Sequence, residues 1–229
     1  MALYAIADLH LGFKHNKTME IFGDNWIDYH IKIENHWQRL VKEEDTVIIS
    51  GDVSWAMNME DAEPDLVFIE NLTGKKVIHS GNHDYWWDST AKLNRAYKSI
   101  FFMKNDFYPC EGIALCGTRG WLCPNEKSFT PHDNKIYLRE LGRLKISLDK
   151  ALSAGFKEII VSLHYPPTNS KKENSGFIDL IKEYDVKKVI YGHLHGSASY
   201  GASFRGEVDG VNYSLVSSDY LDFCPIKIK

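Results

Sequence analysis

Short runs of aliphatic and β-branched residues alternate along the chain with longer segments in which apolar residues recur every three or four positions. The short runs are typical of strands buried on both faces, and the longer periodicity is typical of amphipathic helices. The pattern predicts strands at residues 3–7, 46–50, 76–80, 112–118, 158–164 and 188–193. It predicts helices at residues 24–42, 60–72, 88–98, 133–154 and 174–184, the first capped by Asp24 and the third by Asp88 or Ser89.

The alternation of strands and helices predicts an α/β architecture, as a two-layer or a sandwiched α/β/α sheet. Asp209 and Gly210 lie between two β-prone runs and predict a late hairpin. Residues 101–130 show no clear alternation, so we expect additional antiparallel strands there. The aromatic residues at 101–108 are expected to be exposed and to be available for a dimer contact, so both a monomer and a homodimer remain open.

The composition is that of an ordinary globular protein. The 229 residues are 44% hydrophobic and 25% charged, contain no repeat or linker, and are expected to form one domain over 1–229. The net charge of −4 makes nucleic acid or an anionic membrane an unlikely partner, although local patches leave nucleic acid possible in principle. The 4 cysteines form no CxxC pair and are expected to be buried free thiols.

Nothing in the sequence resembles a targeting or membrane segment. The N-terminal run is apolar but short and lacks a basic start, so it is interpreted as the first strand. No apolar run approaches the roughly 18 residues of a membrane-spanning helix. The expectation is a soluble cytoplasmic protein.

Polar residues of the kinds that bind metals follow five of the predicted strands. Because ligands bind beyond the carboxyl ends of strands in α/β sheets, these residues are expected to converge on one crevice. Residues i and i+2 of an extended chain point to the same side, so the two imidazoles of GHLH can face one point. The residues are Asp8, His10, Asp52, Asn82, His83, Asp84, His164, His193 and His195.

Each cluster alone has an ordinary structural interpretation as a turn, a cap or a hydrogen-bonded histidine. Together they share one structural position and supply nitrogen and oxygen donors without thiols, which favours a metal site. Motifs of other chemistries are absent from the sequence: it has no GxxxxGK[ST] loop, no GxGxxG fingerprint and no GxSxG elbow. His79, which lies within a predicted strand, is interpreted as a packed core imidazole.

The order DxH, GD, GNHD, H and GHxH over residues 8–195 resembles the calcineurin-like metallophosphoesterase superfamily. The compact chain, with HDYWW, GTRGW and DYLDFCP, is similar to small single-domain bacterial members of unassigned substrate. The resemblance implies an α/β fold, specifically a four-layer α/β/β/α sandwich with two mixed β-sheets.

The resemblance also implies a dinuclear metal centre bridged by Asp52. One ion would be held by Asp8, His10, Asp52 and His195, and the other by Asp52, Asn82, His164 and His193. His83 is the expected proton donor or charge stabiliser, with Asp84 orienting it. Mixed nitrogen and oxygen donors suit Mn, Fe or Zn and argue against Ca²⁺, and the sequence leaves these three open.

Phosphoester hydrolysis is consistent with the charge of such a site. Two divalent ions, two aspartates and a bridging hydroxide leave a net charge of about +1, which attracts phosphate. Metal ions lower the pKa of bound water from about 15.7 to about 7, so the metal-bridging hydroxide is a nucleophile at neutral pH. We therefore expect a phosphomonoesterase or phosphodiesterase acting on a phosphorylated substrate. A nuclease of the same superfamily and a non-catalytic metal-binding scaffold are the alternatives.

Two groups beside the predicted site have open interpretations. Arg119 is the candidate substrate-binding residue, as a phosphate clamp, with a surface salt bridge as the alternative. Four aromatic residues could form an apolar or stacking wall, with core packing as the alternative: Tyr85, Trp86, Trp87 and Trp121.

Overall fold

The computed structural model describes residues 1–14, 17 and 19–229. The described strands are β1 Leu3–Ile6, β2 Thr46–Ser50, β3 Lys75–His79, β4 Ile100–Phe102, β5 Phe107–Cys110, β6 Ile113–Thr118, β7 Glu158–Leu163, β8 Lys188–Tyr191, β9 Gly206–Val208, β10 Val211–Leu215 and β11 Ile226–Lys227. The described α-helices are α1 Tyr29–Leu40, α2 Met59–Asn71, α3 Thr90–Ala96, α4 Pro131–Ser153 and α5 Gly176–Glu183.

The strands form two mixed sheets. The first has five strands in the order β11-β1-β2-β3-β4, and β11 is its antiparallel member. The second has six strands in the order β5-β6-β7-β8-β10-β9, with β5 and β9 antiparallel to their neighbours. The prediction of two mixed sheets is confirmed, and the Asp209-Gly210 hairpin lies between β9 and β10 as expected.

Three hydrophobic clusters hold the four layers together. The strand β2 shows the arrangement, because successive side chains of a strand point to opposite faces. Ile48 packs in the cluster between the two sheets, while Val47 and Ile49 pack in the cluster that includes α1, α2 and α3. A third cluster joins the second sheet to α4 and α5. Burial on both faces explains why the strands are continuously apolar.

The start of the first helix differs from the prediction. Asp24 begins a short 3-10 turn at Asp24–Trp26, and α1 begins only at Tyr29. Asp28, between them, has φ 51°, a left-handed conformation that an α-helix cannot contain. The apolar periodicity continued through this interruption, so the pattern alone did not reveal it.

The aromatic residues at 101–108 are not exposed as expected. Phe102 is only 1% exposed and packs with the helix-side cluster of the first sheet. Phe101 and Tyr108 contact each other with ring centroids 5.2 Å apart, at the edge of the cluster between the sheets. Phe107 packs against Phe156 at 5.4 Å. These side chains belong to β4 and β5, two short strands that the sequence pattern did not define.

Candidate metal centre

The loops after β1, β2, β3, β7 and β8 bring the predicted ligands together at the carboxyl ends of the strands. The backbone turns sharply there: φ is 60° at Asp8, 45° at His10, 51° at Asp52 and 71° at His193. Positive φ is uncommon for residues other than glycine, and such strained positions cluster at functional sites. Four of the predicted ligands are thus held in a conformation that the surrounding structure must impose.

Glycines allow the loops to approach one another closely. A Cβ added at Gly81 would lie 2.1 Å from Oδ1 of Asp52, and one at Gly192 would lie 2.5 Å from Oδ2 of Asp8. Because these glycines lack a Cβ, the same aspartates can approach the neighbouring backbone and accept hydrogen bonds from it. The amide of His83 donates to Oδ1 of Asp52 at 2.8 Å, and the amide of His193 donates to Oδ2 of Asp8 at 2.9 Å.

One group of donor atoms consists of Asp8, His10 and His195, whose ligand atoms lie within 4.8 Å of one another. The Nε2 atoms of His10 and His195 are 3.2 Å apart, and Nε2 of His195 is 3.7 Å from Oδ1 of Asp8. The ligand atoms of these three side chains therefore lie close together; the predicted set for the first ion also contained Asp52.

A second group consists of Asp8, Asp52 and His164, again within 4.8 Å. Oδ1 of Asn82 lies 2.7 Å from Nε2 of His164 and 3.0 Å from Nδ1 of His193, so these predicted ligands meet at one atom. Oδ2 of Asp52 is 3.4 Å from Nε2 of His164 and 3.8 Å from Nε2 of His10. Asp8 belongs to both groups, and Oδ2 of Asp52 approaches an imidazole nitrogen of each of them.

The residues present fit divalent cations. Oδ1 of Asp8 is buried and has no hydrogen-bond partner among the described residues. A buried carboxylate oxygen needs a compensating partner, and the imidazole nitrogens around it are ligand atoms for transition metals. The donor set therefore leaves a place for positive charge beside Asp8.

The histidines divide into two electrostatic classes. Burial lowers the pKa of His10 to about 4 and that of His193 to about 3, so both imidazoles are neutral near pH 7, as metal ligation requires. Burial also opposes the charged form of His164 and His195, but nearby aspartates outweigh it. The pKa of His195 is raised to about 10 and that of His164 is raised above its usual value.

The two aspartates show the matching effect. Burial alone would raise the pKa of Asp52 and of Asp8, yet His164 and His195 respectively hold both values below the usual range. Without cations, protons on His164 and His195 supply the charge that the carboxylates require. Metal ions would displace those protons, because a metal-bound imidazole nitrogen cannot carry one.

His83 lies at the rim of this cluster. Its ring is half-buried, 5.8 Å from the ring of His10 and 4.4 Å from that of Trp55, measured between centroids. Trp55 also stacks on His10 at 4.6 Å. Burial lowers the pKa of His83, so its imidazole is neutral near pH 7 in this structure. The sequence analysis did not single out Trp55, although it follows the GD motif by only a few residues.

Asp84 hydrogen-bonds to the loops, and among the described residues it makes no hydrogen bond to the His83 ring, which differs from the expected orienting role. Its carboxylate accepts hydrogen bonds from the amides of Gly81, Val53 and Ser54 and from the indole of Trp86. Burial and the neighbouring Asp52 raise the pKa of Asp84 to about 6. Asp84 therefore ties the GNHD loop, which carries His83, to the GD loop.

The Arg119 side chain contacts a buried glutamate. Its Nη2 lies 3.5 Å from Oε1 of Glu140, and its guanidinium stacks over Trp121 at 4.5 Å. The backbone carbonyl of Arg119 accepts from the amides of His164 at 3.2 Å and Tyr165 at 2.9 Å. A salt bridge is present, as the alternative interpretation held, but its carboxylate is buried and not at the surface.

Core packing accounts for two of the four aromatic residues that follow the site loops. Trp86 is 2% exposed, and both Trp86 and Trp87 pack against Phe102. Tyr85 is 63% exposed, and Trp121 donates from Nε1 to Asp133 at 2.9 Å.

One carboxylate in contact with the cluster was not predicted. Asp219 lies just after β10 and accepts a hydrogen bond from Nδ1 of His195 at 3.0 Å. A polar residue after a strand was the signal that located the other site residues, and Asp219 follows the run that forms β10 in the same way.

The sandwich of two sheets and the cluster of aspartate, histidine and asparagine at its strand ends have the features of a metal-dependent phosphoesterase. A family profile described as calcineurin-like phosphoesterase matches residues 1–197, and the chain belongs to this family. The resemblance inferred from the motifs is confirmed, and the family acts on phosphorylated substrates.

Two solved structures show the same fold. One is a protein of unknown function, AQ665 from Aquifex aeolicus, at 16% identity and a TM-score of 0.52, with 99% of this chain and 95% of that chain covered. The other is the phosphopantetheinyl hydrolase PptH from Mycobacterium tuberculosis, at 14% identity and a TM-score of 0.53, with 94% of this chain and 88% of that chain covered. A comparison with curated proteins gave no match.

Across the described part of the chain, none of the helices is both long enough and apolar enough to cross a membrane.

Proposed function

We propose that this chain hydrolyses phosphate esters with two divalent metal ions held at the ends of its strands. Asp8, His10, Asp52 and His195 would hold one ion, and Asp52, Asn82, His164 and His193 the other. The observation that carries the proposal is the buried Oδ1 of Asp8: among the described residues it has no hydrogen-bond partner, and it lies 3.6 Å from Nδ1 of His164 and 3.7 Å from Nε2 of His195. Divalent ions there would lower the pKa of bound water and attract the phosphoryl oxygens.

The chain's own residues have three tasks in this proposal. The positive-φ loops hold the ligands in place before the ions bind, which reduces the reorganisation that binding requires. His83 reaches the cluster from the rim and is free to donate an N–H to a phosphate oxygen. A bound phosphate would raise the pKa of His83, because an anion favours the imidazolium, and the protonated ring could then supply the proton of the leaving group.

We further infer that residues 1–229 work as one catalytic domain. The proposed ligands come from both sheets: Asp8, Asp52 and Asn82 follow strands of the first, and His164 and His193 follow strands of the second. Neither sheet alone would complete either ion site. The site is therefore expected to be lost as a unit when the packing between the sheets is disrupted.

The test is hydrolysis by purified full-length protein loaded separately with Mn²⁺, Fe²⁺ or Zn²⁺. The substrates are p-nitrophenyl phosphate, its bis-ester, and a phosphopantetheine ester chosen because of the likeness in fold to the phosphopantetheinyl hydrolase. We expect turnover of at least one ester that a chelator abolishes and added metal restores. Asp52→Asn should lose metal and turnover, whereas Asp209→Asn, an exposed carboxylate in the late hairpin, should keep both.

The same experiment separates the alternatives. Protein that binds metal but hydrolyses no ester in the panel would contradict the proposal and favour a binding scaffold. Faster cleavage of single- or double-stranded DNA than of the small esters would move the assignment to a nuclease.

A further inference from the structure

A cavity of about 210 Å³ opens beside the candidate metal centre. It lies between the loop after β3, the end of β6 and the helix α4. Asn82 belongs both to its wall and to the group of proposed ligands, so the cavity adjoins the place where the reacting phosphate would bind. The wall is rich in basic side chains, namely Lys104, Arg119, Arg139 and Arg143.

Three of these basic groups share one carboxylate oxygen. Oε1 of Glu140 lies 2.7 Å from Nη1 of Arg143, 3.2 Å from Nη2 of Arg139 and 3.5 Å from Nη2 of Arg119. Its other oxygen accepts from the hydroxyl of Thr118 at 2.6 Å. Three guanidinium groups against one carboxylate leave two uncompensated positive charges at the cavity wall. Asp84, the second acidic residue of the wall, is offset in number by Lys104, so the excess of two positive charges remains.

Two buried polar atoms of the same wall lack hydrogen bonds. Within the described residues, Nε of Arg119 and Oδ1 of Asn105 are buried and have no partner. Buried polar atoms are nearly always satisfied by protein, water or ligand, so each unpaired atom requires an explanation. Oδ1 of Asn105 is an acceptor and requires a donor, whereas Nε of Arg119 is a donor that an anion would satisfy. The unpaired Arg119 donor, beside an excess of positive charge, points to an anion.

A purely structural arginine cluster does not account for this arrangement. One arginine is enough to neutralise Glu140, and each additional guanidinium adds repulsion between like charges and a cost of desolvation. The Arg143 side chain is 28% exposed and that of Arg119 is 20% exposed, so both are partly removed from water. Guanidinium groups bind phosphate through paired N–H donors, which would use the donors that Glu140 leaves free.

We propose that this cavity, the arginine subsite formed by Arg119, Arg139 and Arg143, binds a second phosphate group of the substrate. The proposal rests on the proposed phosphoesterase function and specifies its substrate class. The scissile phosphoryl group binds at the metal centre, and a second phosphate of the same molecule binds the arginines across Asn82. Preferred substrates are therefore compounds with two phosphate groups.

The test compares matched pairs of substrates with the metal-loaded full chain. Fructose 1,6-bisphosphate is compared with fructose 6-phosphate, and 2,3-bisphosphoglycerate with 3-phosphoglycerate, because the two bisphosphates differ in the spacing of their groups. We expect kcat/KM to be about tenfold higher for at least one bisphosphate than for its monophosphate, mainly through a lower KM. Arg139→Gln and Arg143→Gln should each lower this ratio about fivefold or more by raising KM for the bisphosphate.

Two further variants make the comparison specific. Lys135→Gln removes a positive charge from the exposed surface of the same helix, outside the cavity wall, and should leave the ratio unchanged. Arg139→Lys keeps the charge but not the planar fork and should restore only part of the preference. If Arg143→Gln does not fold, Arg139→Gln still carries the test, because the side chain of Arg139 is half exposed.

Three results would overturn the proposal. If kcat/KM is equal for the bisphosphate and the monophosphate of each pair, and the arginine variants do not change it, the proposed subsite is contradicted and the phosphoesterase function is not. Activation of monophosphate turnover by added sulfate, lost in Arg143→Gln, would show that the cavity binds a separate anion. Absence of hydrolysis of every phosphate ester by metal-loaded wild type would instead defeat the phosphoesterase function itself, and the subsite with it.

Discussion

Nδ1 of His195 donates a hydrogen bond to Oδ1 of Asp219 at 3.0 Å, across the gap between the loops after β8 and β10. The other oxygen of Asp219 accepts from the amide of Gly196 at 2.8 Å and from the hydroxyl of Tyr200 at 2.9 Å. This contact directs Nε2 of His195 towards Asp8 and fixes which ring nitrogen is available to a metal. Carboxylates in such a position tune the basicity and orientation of a ligating imidazole.

Asp219→Asn should therefore weaken metal binding without removing a ligand. Loss of this kind of support usually lowers metal affinity about ten- to hundredfold. Competition with a chromogenic chelator measures the affinity directly, without reference to turnover. Asp222→Asn, an exposed aspartate only a few residues away, is the matched control and should bind metal like the wild type. Equal affinities in the two variants would contradict a positioning role for Asp219.

Asp219 also shows where the sequence was informative and where it was not. The rule that ligands follow the carboxyl ends of parallel strands pointed to the aspartates, asparagine and histidines that lie together here, because each follows a strand defined by its apolar run. Asp219 obeys the same rule, but its strand β10 had been interpreted only as half of a hairpin. Its parallel pairing with β8, which places it beside the site, is a long-range contact that local pattern does not encode.

The fold, like the site, was predicted from the sequence only in part. The buried strands and the helix α4 were predicted within a few residues, since their periodicity is set by burial on one or both faces. The expectation of additional antiparallel strands within residues 101–130 is met by β5, which pairs antiparallel with β6, but the positions of the short strands β4 and β5 were not predicted. Their aromatic side chains were expected to be exposed, but in the structure they pack against other aromatic rings at the edges of the sheets. The arginine cluster around Glu140 was also not predicted, because the apolar pattern does not show which polar side chains of α4 meet Arg119.

His83→Ala tests the separation between metal binding and turnover. His83 reaches the cluster from its rim, and the described contact of its backbone with Asp52 survives truncation of the ring. We expect the variant to keep its metal content and to lose turnover by a factor of about 10² to 10⁴, the usual contribution of a general acid. Metal analysis by mass spectrometry and steady-state kinetics on the same sample measure the two properties separately.

Two outcomes would contradict this role of His83. Loss of metal together with activity would make His83 a ligand or a structural residue. Unchanged turnover of an ester with a poor leaving group would show that another group supplies the proton. An ester with a good leaving group should be less affected, because it needs little help from an acid.

Gly81→Ala tests the close approach of the GNHD and GD loops. The new Cβ would lie 2.1 Å from Oδ1 and 2.3 Å from the backbone nitrogen of Asp52, so the loops must separate. We expect loss of metal binding and a lower free energy of unfolding, by about 1 to 3 kcal/mol. The readouts are metal content and urea unfolding.

Gly142→Ala is the control for that substitution. Gly142 lies in α4, and a Cβ there meets nothing within 4 Å. Alanine is favoured over glycine in a helix, so this variant should be as stable as the wild type or more stable by up to about 1 kcal/mol. Equal stability and metal content in the two alanine variants would show that the approach at Gly81 is not required.

His79 provides a test of stability against pH that does not involve a proposed ligand. It is 2% exposed, which confirms the interpretation as a core imidazole, and its Nε2 is 2.7 Å from the hydroxyl of Ser162. That hydroxyl is 2.8 Å from the hydroxyl of Ser50, whose carbonyl accepts from Nδ1 of His164 at 3.1 Å. The imidazole thus anchors a buried polar chain that ends behind the candidate metal centre.

Burial lowers the pKa of His79 from 6.5 to about 3. Between these values the unfolded chain binds a proton at this position and the folded chain does not, so the free energy of unfolding falls as the pH falls through this window. One pH unit corresponds to about 1.4 kcal/mol, so His79 should cost the wild type roughly 2 kcal/mol between pH 7 and pH 5. His79→Gln keeps a hydrogen-bonding side chain but cannot titrate there. Urea unfolding of both proteins at the two pH values isolates the effect, because every other titrating group is shared. An equal loss of unfolding free energy in the variant would show that His79 does not remain neutral in the folded protein.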